Sequence, residues 1–353
     1  MRGGILAAPL AAAYGAIVAT RSALYGRGWI RSVRAPVPVI SVGNIVAGGT
    51  GKTPMVAMTA RLLRDAGMCP VVVSRGYRGR RDEDPLVVST TDGAVHGVTS
   101  GQAGDEPVML AGLLPGIPVV VARRRAEGAS LAVTRFAAGC IVLDDGFQHL
   151  ALRRDLDLVL LDAARPLDSG RLLPAGLLRE RPSALMRADV VILSGSGGPL
   201  PGAAGLVRSR TRPGTPIFHL AFEPTMLVDP EGRARPVSLL AGRRVVAFAG
   251  IARPARLRAS IEELGAEVVR FVAFPDHHAY GPGDTAGILE DVERHGPDLL
   301  VTTEKDLARL RGTPAGSRLR GASPVALRIE ACMPAPELSS FRSILIKASG
   351  GAA

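Results

Sequence analysis

Apolar and polar positions fall along this chain in blocks whose lengths separate strands from helices. Residues 37–42 form a β-branched apolar run and predict a buried strand. A glycine-rich turn follows, and residues 55–66 carry the amphipathic spacing of a helix that stops at Gly67. Residues 70–74 predict a second buried strand, 108–114 an apolar helix and 118–121 another strand. A helix to about residue 137 leads into an apolar strand that ends at Asp144 and Asp145. Strands at 156–161 and 190–194 continue the alternation. Strands that are apolar throughout, each followed by a helix, predict a mainly parallel sheet covered on both faces.

Residues 194–216 are rich in Gly, Pro, Ser and Arg and read as a linker or flexible loop. A second α/β series comes after it: strand 245–249, helix 254–264, strand 268–274, helix 283–295, strand 299–302 and a strand at 324–329. No repeat of fixed period is visible, and the Ala/Gly-rich tail after Lys347 is expected to be disordered. The organisation expected is an N-terminal helix at 1–30, a core domain at 31–222 and a smaller α/β domain at 223–347.

The turn after the first strand reads Val46-Ala-Gly-Gly-Thr-Gly-Lys-Thr53, with Pro54 in the first turn of the next helix. Strand, glycine loop, Gly-Lys-Thr and helix make a P-loop, in which backbone N–H groups and a helix N-terminus cradle phosphate. The fold class expected is therefore α/β, with a P-loop NTPase-like sheet. Val46, Ala47, Gly48, Gly49, Thr50, Gly51, Lys52 and Thr53 form the expected nucleotide-binding set. Lys52 is placed to reach the β- and γ-phosphates, and the Thr53 hydroxyl to ligate Mg²⁺. Val46 stands where the usual pattern has its first glycine, so Gly48 and Gly49 must give the loop its freedom. The rival reading is an ordinary glycine-rich turn with an incidental lysine. Of the 43 Lys+Arg only Lys52, Lys305 and Lys347 are lysines, and two of them sit in candidate site motifs. Where arginine is the default cation, a lysine points to a need for a compact ammonium.

Further polar clusters lie at strand ends. Asp144-Asp145 has the form of a Walker B element, whose aspartate holds Mg²⁺ opposite the P-loop. Arg75-Gly-Tyr-Arg-Gly-Arg-Arg81 is either a ligand loop at the carboxyl edge of the sheet or a solvated basic loop. In Gly104-Asp-Glu-Pro107, Asp105 and Glu106 lie where a cap and a first-turn carboxylate belong, and capping is the reading the residues alone favour. Phe274-Pro-Asp-His-His-Ala-Tyr280 follows a strand of the second unit, and Thr302-Thr-Glu-Lys-Asp306 ends another. Adjacent histidines diverge in most local conformations, so a two-His metal site is not expected. One histidine as a proton-handling partner, or simply as a hydrogen-bonded loop residue, is.

An uncharged run, residues 5–20, precedes the first strand. Arg2 lies before it; Arg21, Arg27, Arg31 and Arg34 follow, with Tyr25 and Trp29 among them. The run is shorter than the ~20 residues a spanning helix needs. Apolar body, aromatic flank and basic edge predict a helix in a membrane interface. A buried helix and a cleavable signal peptide are the rivals, and export would separate a P-loop from ATP. The net charge of +11 favours anionic partners, here anionic phospholipid or a phosphorylated substrate. Aromatics are only 4%, which argues against a base-stacking surface and so against nucleic acid. Cys69, Cys140 and Cys332 are dispersed, with no metal or disulfide spacing, and are expected in the core.

As a set these residues resemble the tetraacyldisaccharide 4'-kinase family of lipid A biosynthesis. The matching pieces are Ser41-Val-Gly-Asn44, Gly48-Gly-Thr-Gly-Lys-Thr-Pro54, Ser74-Arg-Gly-Tyr77, Gly104-Asp-Glu-Pro107, Leu143-Asp-Asp-Gly-Phe-Gln-His149, Phe274-Pro-Asp-His277 and Thr303-Glu-Lys-Asp306. They cover roughly residues 30–310 in order, and Val46 matches that family's own loop form. The resemblance implies transfer of the γ-phosphoryl group of ATP, with Mg²⁺, to the 4'-hydroxyl of an acylated glucosamine disaccharide 1-phosphate, giving lipid IVA. It implies work at the cytoplasmic face of the inner membrane. It also implies Asp105 as base, His277 as its paired histidine and Lys52 on the phosphates. Thr53, Asp144 and Asp145 would lie on the Mg²⁺ side with Glu106 assisting, and Asn44, Arg75 and Tyr77 toward the substrate. A P-loop GTPase or ATPase serving maturation of a partner protein is the alternative. Its guanine-reading Asn-Lys-x-Asp is missing, since Thr303-Glu-Lys-Asp306 lacks the asparagine.

Overall fold

Buried apolar runs become strands here because a parallel sheet covered on both faces has no solvated side to alternate toward. The computed structural model describes residues 4–95, 97–195 and 201–351. In chain order the strands are β1 (Val39–Asn44), β2 (Pro70–Ser74), β3 (Leu86–Thr90), β4 (Gly93–Ala94), β5 (Val119–Val121), β6 (Cys140–Asp144) and β7 (Leu156–Asp162). They continue with β8 (Val190–Ser194), β9 (Ile217–Val228), β10 (Ala234–Pro236), β11 (Arg244–Ala249), β12 (Glu267–Ala273), β13 (Leu299–Thr303) and β14 (Val325–Cys332). The helices are α1 (Gly4–Gly26), α2 (Lys52–Asp65), α3 (Ser100–Ala103), α4 (Asp105–Leu113), α5 (Arg125–Phe136) and α6 (Pro201–Arg208). Then come α7 (Pro254–Glu263), α8 (Pro282–His295), α9 (Glu304–Leu310), α10 (Pro314–Leu319) and α11 (Ala335–Ala348).

Among the described residues all strands join one sheet, in the order β12-β11-β13-β14-β9-β8-β7-β1-β6-β2-β5-β3-β4, with β10 on β9. The expected mainly parallel α/β architecture is what forms. The antiparallel pairs are β3 on β5, β4 on β3, and β14 and β10 on β9. β1 runs parallel between β6 and β7, with Val42 level with Asp144 and Asn44 level with Leu160. Their carboxyl ends therefore open on one edge, where the glycine loop and Asp144-Asp145 meet. α2 closes one face of this region, burying Met55, Val56, Thr59, Ala60 and Leu63, the spacing of a helical stripe.

The apolar pattern missed β3, β4, β10 and, the longest of them, β9. Its first residues pair parallel with β8, burying Phe218 and Leu220 alternately; from Ala221 it pairs antiparallel with β14. The division expected between residues 222 and 223 falls inside this strand. α11 returns from the C-terminal half to the first. Its Phe341 and Leu345 enter the core around α2 and β1, and the Phe341 ring stands edge-on to Phe218 at 5.5 Å. Glu337 of the same helix accepts the His219 amide at 2.6 Å.

Three expectations change. Residues 201–208, expected in a linker, form α6 with Ala203 and Val207 buried; residues 196–200 lie outside the described ones. Ser349, in the tail expected to be disordered, is buried and donates to the Ile346 carbonyl at 2.9 Å; residues 352–353 are outside the described ones. Cys140 is buried, but Cys332 is half-buried and Cys69 is exposed at a left-handed turn.

α1 takes up the N-terminal apolar run. Among the described residues no helix is long and apolar enough to cross a membrane. One face of α1 seats on residues 172–187: a Cβ at Gly15 would meet Leu172 Cδ1 at 2.6 Å. Tyr14 Oη donates to the Arg179 carbonyl at 3.0 Å, and Arg187 donates to Ser22 Oγ at 3.1 Å. Leu10 and Ile17, on a shared face, are 58% and 68% exposed.

Phe341→Ala is expected to lower the unfolding free energy by about 3–5 kcal/mol, as a buried aromatic truncation does. Leu10→Ala should stay within about 0.5 kcal/mol. Denaturant titration compares the two, and equal effects would mean that α11 is not docked on the first core.

Candidate active site

The glycine loop is held from below and left open above. Asn44 is fully buried, and its Nδ2 donates to Thr50 Oγ1 at 2.9 Å. Ser194 Oγ donates to the Thr50 carbonyl at 3.0 Å. Asn44, expected toward the substrate, therefore braces the loop, because no part of its side chain reaches the surface. Val46 is buried and bridges to Leu178, and the Ala47 amide donates to the Leu177 carbonyl at 2.7 Å. An extended, bridged position accepts valine, so the missing first glycine has no structural cost. Freedom is needed further on: Gly48 has φ 120° and Gly51, the helix N-cap, has φ 84°. The amides of Gly49, Gly51, Lys52 and Thr53 find no protein acceptor among the described residues, as an anion cradle requires. A Cβ on Gly51 would also run into the ring of Phe222, on β9.

Three carboxylates face this loop. Asp145, with φ 52°, accepts from Arg179 Nη1 at 2.9 and 2.8 Å and lies 3.6 Å from Lys52 Nζ. Burial pushes Asp145 up, but Lys52 and then Arg179 outweigh it and hold the group below its ordinary value. Glu106 behaves alike: burial raises it, and Lys305, whose Nζ donates at 2.9 Å, brings it below the usual range. Asp144 has no ion-pair partner among the described residues, and Lys52 acts on it only from farther off. Burial first, then Glu106 and Asp145, push its carboxyl up to about 7, against the bond Ser74 Oγ donates to Oδ2 at 2.8 Å. Asp144 Oδ1 is buried with no hydrogen-bond partner among the described residues. An orphaned oxygen between like charges fits a cation. Among the described residues no His/Cys/Asp/Glu group could hold a metal alone, and Mg²⁺ usually takes one or two carboxylates plus substrate phosphate.

Asp105 opens α4, but it is not the cap that the residues alone favoured. Gly104 takes the N-cap position with φ 90°, without a side-chain cap bond. The Asp105 carboxylate turns instead to the C-terminal half. Its Oδ2 meets His277 Nδ1 at 2.9 Å and accepts from Arg309 Nε at 2.7 Å. His277 sits beyond β12 with φ 61°, and its amide donates to the Gly250 carbonyl at 3.1 Å. Tyr77 presents its ring edge-on to His277 at 6.5 Å and is 63% exposed. Gly104 lets this approach happen, since a Cβ there would meet the Tyr77 carbonyl at 2.7 Å. Arg75 lies exposed in the same basic loop. The second histidine diverges, as expected, and His278 Nε2 bonds Asp284 at 3.0 Å.

A sequence model of the tetraacyldisaccharide-1-P 4'-kinase family matches residues 4–347. The chain belongs to that family. A tetraacyldisaccharide 4'-kinase of Syntrophus aciditrophicus is 45% identical over 306 residues, covering 83% of this chain and 80% of the relative. One from Geobacter metallireducens is 41% identical over 341 residues, covering 96% and 98%. The crystal structure of "apo" form LpxK from Aquifex aeolicus in complex with ATP superposes with a TM-score of 0.77 at 32% identity, covering 97% of this chain and 98% of that one.

Within this 4'-kinase family member, the structure adds residues that no motif singled out. Arg309 follows Asp306 by one helical turn on α9, a spacing that a reading of α9 as a helix would have offered. Arg179 comes from an irregular segment, and Phe222 from the unpredicted β9.

Asp144 gives a pH test. A carboxyl raised from 3.8 to about 7 favours the protonated fold, so stability is lost as pH climbs between those values. The melting temperature of Asp144→Asn relative to wild type should therefore rise from pH 5 to about pH 7.5 and then level. Mg²⁺ should narrow the gap at the upper end by stabilising the ionised carboxylate. A gap independent of pH and of Mg²⁺ would contradict the assignment.

Proposed function

We propose that the chain transfers the γ-phosphoryl group of ATP to the 4'-hydroxyl of a tetraacyldisaccharide 1-phosphate. The observation that carries this reading is the Asp105–His277 bond, 2.9 Å across residues from the two halves of the molecule, at the open edge beside the glycine loop. An alcohol attacking a γ-phosphate needs an acceptor for its proton, and little else by way of covalent chemistry. Asp105 fills that role: Oδ2 is taken by two donors, and Oδ1 has no protein donor among the described residues. His277 orients the carboxylate and shares its proton. Lys52 and the loop amides hold the β- and γ-phosphates. Thr53, Asp144 and Asp145, with Glu106 nearby, would hold Mg²⁺, which neutralises phosphate charge as it develops. Arg75 and Tyr77 face the acceptor lipid. Membership of the 4'-kinase family supports the substrate.

The alternative of a guanine-reading GTPase loses support from Asp306. Its carboxylate is fully buried among Thr303, Tyr280, Gly250 and Arg309, not open to a base.

The lipid is met at a membrane surface, on this reading the cytoplasmic face of the inner membrane. α1 supports this with exposed Leu10 and Ile17, and the segment after it with exposed Trp29 and Ile30 beside Arg27, Arg31 and Arg34. Deleting residues 1–28 should weaken sedimentation with vesicles containing anionic phospholipid far more than it weakens ATP affinity, which should change only a few-fold. Unchanged sedimentation of the truncated protein would count against a membrane role for α1.

Asp105→Ala and His277→Ala should each lower kcat by ~10²–10⁴-fold while ATP affinity stays close to wild type. The double variant should be little worse than the worse single. Steady-state kinetics with thermal melts on all four proteins checks this. Losses that multiply would break the pairing, and lowered melting temperatures with kcat intact would return both residues to structural roles.

A further inference from the structure

Arg309 lies on α9 in the C-terminal half, yet its guanidinium reaches the acid–base pair. Nε donates to Asp105 Oδ2 at 2.7 Å, the same oxygen that His277 Nδ1 meets at 2.9 Å. Nη1 donates to the Gly250 carbonyl at 2.6 Å and to Asp306 Oδ1 at 2.8 Å. The Gly250 carbonyl is also the acceptor of the His277 amide, so one carbonyl locates both of Asp105's partners. His277 is held with φ 61°, a conformation a non-glycine residue keeps only when its surroundings fix it. Asp306 is itself over-determined, by Tyr280 Oη at 2.8 Å, Thr303 Oγ1 at 2.6 Å and the Gly250 amide at 3.2 Å. Only 6% of the Arg309 side chain is exposed, so this contact is built into the interior.

We propose that Arg309 is a positioning residue for phosphoryl transfer, holding Asp105 so that Oδ1 is the oxygen offered to the attacking hydroxyl. The inference rests on the reading of Asp105 as the base. One hydrogen bond leaves a carboxylate free to turn about its bond to the chain. Two donors from different elements on one oxygen remove that freedom. Arginine suits the place because its fork is rigid, with Nε on Asp105 while Nη1 is on Asp306 and Gly250. A lysine keeps the charge but not the fork. Both donors to Asp105 come from the C-terminal half, so the orientation of the carboxylate rests on the packing of that half against α4.

The test uses the full chain as wild type, Arg309→Lys, Asp105→Ala and the double variant. Each is assayed with ATP and an acylated glucosamine disaccharide 1-phosphate, beside a thermal melt. Arg309→Lys should lower kcat ~10–100-fold, the effect of a displaced reacting group, with both KM values little changed. In the Asp105→Ala background the same change should cost nothing further in kcat, since no carboxylate remains to be oriented. Wild-type kcat in Arg309→Lys, beside a crippled Asp105→Ala, overturns this inference alone. Equal fold-losses in both backgrounds overturn it too, because a structural role does not depend on Asp105. Wild-type kcat in Asp105→Ala overturns the base assignment and this inference together. If Arg309→Lys melts early, Arg309→Gln carries the same comparison.

Discussion

Four carboxylates crowd one edge of the sheet, and the site depends on how their mutual repulsion is met. Asp105 is held by Arg309, Glu106 by Lys305, and Asp145 by Lys52 and Arg179. Each cation comes from an element remote in sequence from its partner. Among the described residues Asp144 alone of the four has no ion-pair partner, and burial beside two like charges pushes it up to about 7. A buried carboxylate without a counter-ion in contact is costly, and such costs concentrate where charge has work to do. Three of the four are therefore fixed by the protein, while the fourth remains as the position where a cation bound with nucleotide fits.

The fold serves this arrangement by bringing the C-terminal half against the first. Arg309, Lys305 and His277 all belong to the later half, and Asp105 and Glu106 to the earlier. β9 makes the two halves one sheet: it leaves β8 at Leu220 and joins β14 from Ala221. α11 closes the circuit by returning Phe341 to the first core. α1 is tied in as well, since Tyr14 bonds the carbonyl of Arg179, whose guanidinium holds Asp145. The element with the exposed apolar face is thus linked to the carboxylate cluster through one residue, Arg179.

Much of this was legible before the structure. The parallel strands at 70–74 and 190–194 have the same bounds in the sequence reading as in the fold, because runs buried on both faces are apolar without interruption. The glycine loop was readable down to its valine. The Asp105–His277 pairing was not readable from the residues, which favoured a helix cap; it came only through family resemblance. A contact across 172 positions leaves no local trace. β9 was hidden because it is half-buried, changes partner midway and contains Pro224, which together erase any simple period. α6 was hidden by glycine and proline in a segment that still buries Val207. Arg309 was hidden by composition, since one arginine among so many carries no signal until its helix is placed.

The most direct measurement supplies the purified protein with [γ-³²P]ATP, Mg²⁺ and a tetraacyldisaccharide 1-phosphate in mixed micelles, and follows the label. The account predicts label in the lipid, located at the 4'-oxygen, with ATP consumed in step with lipid phosphorylated and almost none consumed without it. ATP hydrolysis at the same rate with and without lipid, and no label in the lipid, would contradict it.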